Sequence, residues 1–207
     1  MEFQDALKRR RMVRHFEARQ VPSELLQRVL ASALQAPSAG HTQGWDFIVL
    51  DRPDQTSRFW AMTADPGWRA DQDDMAADGF GSMVQAPVIV LPLAHPQAYL
   101  DRYARQDKAG SGLPTGPGAQ AQWPVPYWLI DTAFATMLIL VAAADCGLGA
   151  LFFRIRQGQD QLLGALGVPA GRQLIGAVAM GFAGKKSPQD GVRPARSFHE
   201  VFHAGRW

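Results

Sequence analysis

The apolar run from Phe134 to Ala144 constrains this chain more than any other feature of its sequence. Flanked by Asp131 and Asp145, it is apolar around nearly the whole circumference of a helix. Such a helix must be buried on most sides, so the rest of the chain has to wrap it. The run is shorter than the roughly 20 residues that a membrane span needs. It reads as the core helix of a soluble, cytoplasmic protein with no membrane partner. With 207 residues, 47% hydrophobic and 19% charged, the chain can build one sizeable core. Two half-length domains would each be poorly filled, so residues 1–207 are read as a single domain. Residues 1–14 are charged and lack an apolar centre, unlike a secretory signal.

Helical spacing of Leu25, Leu26, Val29, Leu30, Ala33 and Leu34 predicts an amphipathic helix, opened by Pro22-Ser23-Glu24 and stopped by Pro37-Ser38-Ala39-Gly40. A short first helix around Phe3 and Leu7 ends in the basic run from Lys8 to Arg11. Strands are expected at Phe47–Leu50, Pro87–Leu91, Leu151–Phe153 and Leu174–Met180, and a short helix at Asp160–Leu166. The central helix is expected from Asp131 to Asp145, with Gly147 as its C-terminal cap. From about residue 94 to 127 no period is visible, and residues 110–118 are rich in Gly and Pro. A connection that long is expected to be a lid or loop. Helices and strands mix along the whole chain, which gives an α/β or α+β class.

Composition limits the chemistry. The lone Cys146 excludes a disulfide framework and an all-cysteine metal site. A net charge of +2 is too small for nucleic acid to be the main partner. The balance within it is 17 Arg against 4 Lys, and Arg is the planar, multi-donor cation suited to phosphate. Arg10, Arg11 and Arg14 form a dense cationic patch, open to two readings: converging phosphate donors, or a solvated basic face. His199-Glu200-Val201-Phe202-His203 fits the zinc-protease pattern H-E-x-x-H, but no His, Asp or Glu follows it. It reads as an ordinary C-terminal turn or helix, and no metal site is expected. Gly147-Leu148-Gly149 follows a helix, where a dinucleotide fingerprint would follow a strand, so it reads as a cap and a tight turn.

Taken in chain order, several segments resemble the FMN-dependent nitroreductase superfamily. Arg10-Arg11-Met12-Val13-Arg14 is similar to that family's R-R-S-V-R. Pro22 to Trp45 is similar to V-P-x-E-L-L … A-P-S-A-G-N-x-Q-P-W. Trp128 to Gly149, Gly167-Val168-Pro169, Gly181 and the ending around Arg196 to His203 complete the match, which leaves out residues 55–85 and 95–122. The resemblance implies a three-layer α/β/α, α+β fold with a mixed, mainly antiparallel sheet around a buried helix. It also implies a homodimer with FMN at the interface. Residue by residue, it carries cofactor binding onto Arg10, Arg11, Met12, Arg14, Pro37, Ser38, Ala39, His41, Phe153, Arg154 and Arg196. The 37–41 turn is expected to arrive from the partner protomer. Four positions depart from the pattern: Met12 stands for Ser, His41 for Asn, Gly44 for Pro, and Arg154 for Gly or Glu.

The implied activity is an FMN-dependent oxidoreductase that passes hydride from NAD(P)H to a small acceptor such as a nitroaromatic or quinone. It needs no side-chain nucleophile; the hard redox chemistry is the cofactor's. A dehalogenase of the same superfamily would need a Glu in the 94–127 segment, and there is no Glu between Glu24 and Glu200. Flavin storage or sensing without turnover, and a flavin-cannibalising synthase, are the alternatives.

Overall fold

The computed structural model of the chain describes residues 2–77, 82–185 and 194–207. Eight helices and five strands follow one another in mixed order among these residues. They are α1 Phe3–Arg9, α2 Ser23–Ala31, β1 Trp45–Leu50, α3 Pro53–Thr63, α4 Pro66–Ala77, β2 Val88–Ala94, α5 Pro96–Tyr103, α6 Tyr127–Asp145, β3 Gly149–Phe153, α7 Gln159–Ala165, β4 Gln173–Leu174, β5 Ala177–Gly181 and α8 Phe198–Val201. The sheet order is β1-β2-β5-β3, with β4 also on β2, and every strand pair is antiparallel. The parallel element is a single bridge, Met12 to Ala150, where the N-terminal segment runs beside β3.

Strand alternation makes the three layers. Val88, Val90, Val178 and Met180 turn to one face and meet α2 and α6. Their neighbours Ile89, Leu91, Ala177 and Ala179 turn to the other face and meet Phe59, Trp60 and Leu162 of α3 and α7. Both faces of the sheet are therefore covered, and β2 is buried at every position.

Helix α6 is the buried element expected, but it starts a turn before Asp131 and has 19 residues. By length and composition alone it matches a membrane span. Here it is the core helix: Ala135, Ile139, Leu140 and Ala143 are buried against the sheet and α2, and Trp128 is buried in a separate cluster with Tyr99 and Trp123. Gly147, at φ 77°, caps it; Leu148 N–H donates to Ala143 O at 2.8 Å. Gly149 is required for a different reason, since a Cβ there would lie 2.9 Å from the Val13 side chain.

Three expectations are corrected. Leu34 is 65% exposed, because the last turn of its helix tightens to 3-10 geometry over Ser32–Gln35 and swings that side chain off the core face. The strand expected at Leu174–Met180 is broken into β4 and β5. Gly176 sits under the Phe152 ring, where a Cβ would approach Phe152 Cζ to 2.6 Å, and the ladder breaks there. Most important, the 94–127 stretch is not patternless. Helix α5 buries Tyr99 and Leu100 against Ala119, Trp123 and Trp128, a third small core. Only the Gly/Pro-rich part between them lies open to solvent, tied down by Trp123 Nε1–H donating to Pro114 O at 2.9 Å.

Candidate functional site

The N-terminal cationic segment is held by backbone pairing. Val13 N–H donates to Ala150 O at 3.0 Å, and Phe16 is fully buried beyond it. This leaves Arg10 half-buried and Arg11, Met12 and Arg14 exposed beside β3. Arg14 donates to Met12 O at 3.4 Å. None of Arg10, Arg11, Arg14 or Arg154 forms an ion pair with a carboxylate of the described residues, where the pairs are Arg52–Asp54, Arg102–Asp107 and Arg172–Asp46. Unpaired guanidinium groups close together repel one another, and an anion between them would relieve that repulsion.

Strand β3 leads from Ala150 to Phe153 and Arg154, about 10–13 Å further along at 3.3 Å per residue. There a cavity of about 400 Å³ opens, lined by Trp60, Trp68, Met83, Phe153, Arg154 and Arg156 among others. Its wall is aromatic: Trp60 stacks on Phe153 with ring centres 5.6 Å apart and planes at 13°, and meets Trp68 at 5.6 Å. The indole N–H of Trp60 is buried without an acceptor. A buried donor left unmatched costs about 1–3 kcal/mol, a cost that a planar heterocycle with acceptor atoms could remove. A second, more polar cavity of about 690 Å³ adjoins it across Arg154–Gln157. The volume and lining of the first suit a flat heteroaromatic ring, and the arginine segment suits a phosphate, so the residues present fit FMN.

The 37–41 turn lies elsewhere. Ala39 N–H donates to Asp131 Oδ2 at 2.8 Å, near the N-terminal end of α6. The arginine segment sits beside Ala150, just past the C-terminal end of the same helix. From Asp131 to Asp145 the helix rises about 21 Å at 1.5 Å per residue, so one chain does not bring the two segments together. The turn is unusual in its backbone: Gly40, His41 and Gln43 have φ of 64°, 53° and 50°. For His and Gln a left-handed conformation costs on the order of 1–3 kcal/mol each. The turn is secured by Gln43 N–H donating to Ser38 Oγ at 2.9 Å, Thr42 Oγ1–H to Ala39 O at 2.6 Å, and Arg102 Nε–H to Gly40 O at 2.8 Å. A polar cavity of about 530 Å³ lies between this turn and α5, with His41, His95, Arg102 and Arg105 in its lining.

Arg196 reaches none of these places. It donates to Glu200 O within its own segment, and residues 194–207 are exposed throughout. Arg193, its neighbour in the cationic ending, lies outside the described residues. Glu200 is a capping group: Ser197 N–H donates to it at 2.6 Å, which holds its carboxyl below the ordinary value. His203 packs against the Trp207 ring, with centres 4.3 Å apart and planes tilted by 31°. The H-E-x-x-H pattern is thus a short capped turn, and no group of three metal-ligating side chains forms among the described residues.

Sequence reasoning missed Trp60 and Trp68, which fall in the stretch the resemblance did not cover, and Tyr99 and Asp131. Asp131 was legible as a signal: a carboxylate inside an apolar helix has to be there for a partner. Its partners are Ala39 N–H and the Tyr99 hydroxyl, which donates at 2.7 Å. Burial first, and then that hydrogen bond, push the Tyr99 hydroxyl well above the ordinary tyrosine range, so it stays a donor.

Comparison with known proteins speaks to the family and the fold. The Nitroreductase family model matches residues 7–182. A Methanothermobacter thermautotrophicus protein assigned to the NADH dehydrogenase/NAD(P)H nitroreductases is 26% identical over 165 residues, which covers 79% of this chain and 66% of that protein. Mouse iodotyrosine deiodinase 1 is 42% identical over 53 residues only, 26% of this chain and 19% of the deiodinase. Among solved structures, the nitroreductase CinD from Lactococcus lactis superposes with a TM-score of 0.72 over 99% of this chain and 100% of its own, at 17% identity, which speaks for the fold alone.

Proposed function

This chain belongs to the nitroreductase family, and from that premise we propose that it is an FMN-dependent oxidoreductase passing hydride from NADH or NADPH to a small acceptor such as a nitroaromatic or quinone. The observation that carries the proposal is the unpaired arginine segment leading along β3 into an aromatic cavity. Arg10, Arg11 and Arg14 would hold the phosphate, with Met12 between them; Arg196, which within one protomer stays in its own exposed segment, would join them only on assembly. Phe153 and Arg154 would flank the ring. When bound, FMN supplies the two-electron chemistry. The chain's own residues bind and orient it, exclude water with Trp60 and Trp68, and place the Arg154 cation at the cavity rim.

A homodimer is part of the proposal. Pro37, Ser38, Ala39 and His41 would complete the site of the partner protomer, since within one chain they stand toward the other end of α6. Two apolar surfaces support it. Phe134 and Met137 of α6 are 48% and 40% exposed, with Ile130 and Val141 half-buried on the same side. The ending exposes Phe198, Phe202 and Trp207. Trp123 and Trp128 add nothing to these surfaces, being buried in the third core. The nitroaromatic acceptor class draws on CinD, which has been crystallised with chloramphenicol, itself a nitroaromatic. The test is FMN binding. The wild type should take up about one FMN per chain, and Arg10→Ala with Arg14→Ala should release it while the apoprotein stays folded. A wild type that takes up no added FMN would overturn the proposal.

A further inference from the structure

Helix α5 meets the 38–44 turn through its tyrosines. A Cβ on Gly44 would lie 2.4 Å from Tyr99 Cε2, and one on Gly40 would lie 3.1 Å from Tyr103 Cε2. Both glycines are therefore notches that receive rings one helical turn apart. This explains the Gly at position 44, where any larger residue would collide with Tyr99. Between the two rings, Arg102 reaches Gly40 O while its terminal nitrogens hold Asp107 at 2.9 and 2.7 Å. Beneath them, the Tyr99 hydroxyl and Ala39 N–H converge on one oxygen of Asp131.

Asp131 is 3% exposed, and a buried carboxylate served by neutral donors is costly to keep. A leucine would pack an apolar helix better. What the carboxylate achieves is to fix the amide of Ala39, the residue that opens the left-handed stretch at Gly40, His41 and Gln43. Two such non-glycine conformations persist only where the surroundings over-determine them.

We propose that Asp131, hydrogen-bonded to Tyr99, is a positioning residue: through the amide of Ala39 it holds the 38–44 turn in the one geometry that presents it to the cofactor. The inference rests on the reading of that turn as part of the FMN site. Tyr99→Phe keeps the ring in the Gly44 notch and removes one of the two donors that hold the buried carboxylate at the Ala39 amide. Asp131→Asn keeps the shape and still accepts from Ala39, without a charge that needs a second donor.

The experiment pairs FMN titration of the apoprotein, followed by flavin fluorescence, with amide hydrogen exchange across residues 38–44 and a thermal melt. Tyr99→Phe is expected to weaken FMN about tenfold and to speed exchange at Ala39. Combining it with Asp131→Asn should recover much of both losses, because contacting residues are not additive. A purely structural role would lower the melting temperature of both single variants and leave dissociation constant and exchange alone. Wild-type FMN binding and wild-type protection of Ala39 in Tyr99→Phe would overturn the inference. If the wild type binds no FMN, the functional reading fails, and exchange then decides the positioning role: faster exchange supports it and unchanged exchange overturns it.

Discussion

Arg154 stands at the rim shared by two cavities and has no carboxylate partner among the described residues. A cation there favours whichever form of a bound ring carries more negative charge. Close unit charges at an effective dielectric of 20 attract by roughly 4 kcal/mol at 4 Å, but an exposed guanidinium is screened to a small fraction of that. Arg154→Gly should therefore lower the flavin potential by on the order of 10–30 mV and leave FMN bound, as spectroelectrochemistry would read. An unchanged potential would mean that Arg154 does not tune the ring. His95, beside the turn, titrates in the opposite sense to a salt-bridged histidine. Burial first, and the charge of Arg172 second, lower its pKa from the ordinary 6.5, against the opposing pull of Asp46 and Asp101. The unfolded chain thus takes up the proton more readily than the folded one, so this part of the stability is complete above the ordinary value and is lost as pH falls below it. His95→Gln should flatten the decline in melting temperature between neutral and mildly acid pH; an identical decline would show that other groups cause it.

At the scale of elements, the sequence is most legible where local pattern and burial agree. The apolar core of α6, its Gly147 cap, the helix opened by Pro22 and the middle strands follow from period and punctuation alone. Tertiary contacts decide the rest. The Phe152 ring splits what reads as one strand, and a four-residue 3-10 turn swings Leu34 outward. Helix α5 escapes notice because its buried face is made of Tyr99 and Leu100 on an otherwise polar sequence. Of the candidate site, the arginines, Phe153 and the turn residues could be named from motif order. Trp60, Trp68 and the Asp131–Tyr99 pair could not, since only folding brings them to the same places. The exposed stripe on α6 has its own consequence. Phe134→Glu with Met137→Glu should leave the protomer folded by circular dichroism, because both side chains are accessible, and should yield monomers by light scattering. A dimer that survives both charges would place the interface elsewhere.

In the molecule as a whole, one helix separates the two segments proposed to bind the cofactor. The arginine segment and aromatic cavity gather along β3, and the left-handed turn is fixed near the opposite end of α6. A symmetric pair of chains would join the halves, and a closed two-fold arrangement is the commonest way for that to happen. Ring, phosphate and turn would then meet only in the assembly, and binding and dimerisation would be facets of one equilibrium. The most direct test of the proposed hydride transfer is the visible spectrum of the FMN-loaded protein under anaerobic conditions. NADH or NADPH should bleach the bound flavin, and a nitroaromatic or quinone should then restore its colour. A bound flavin that stays yellow with both donors would contradict it and identify a protein that holds FMN without turning it over.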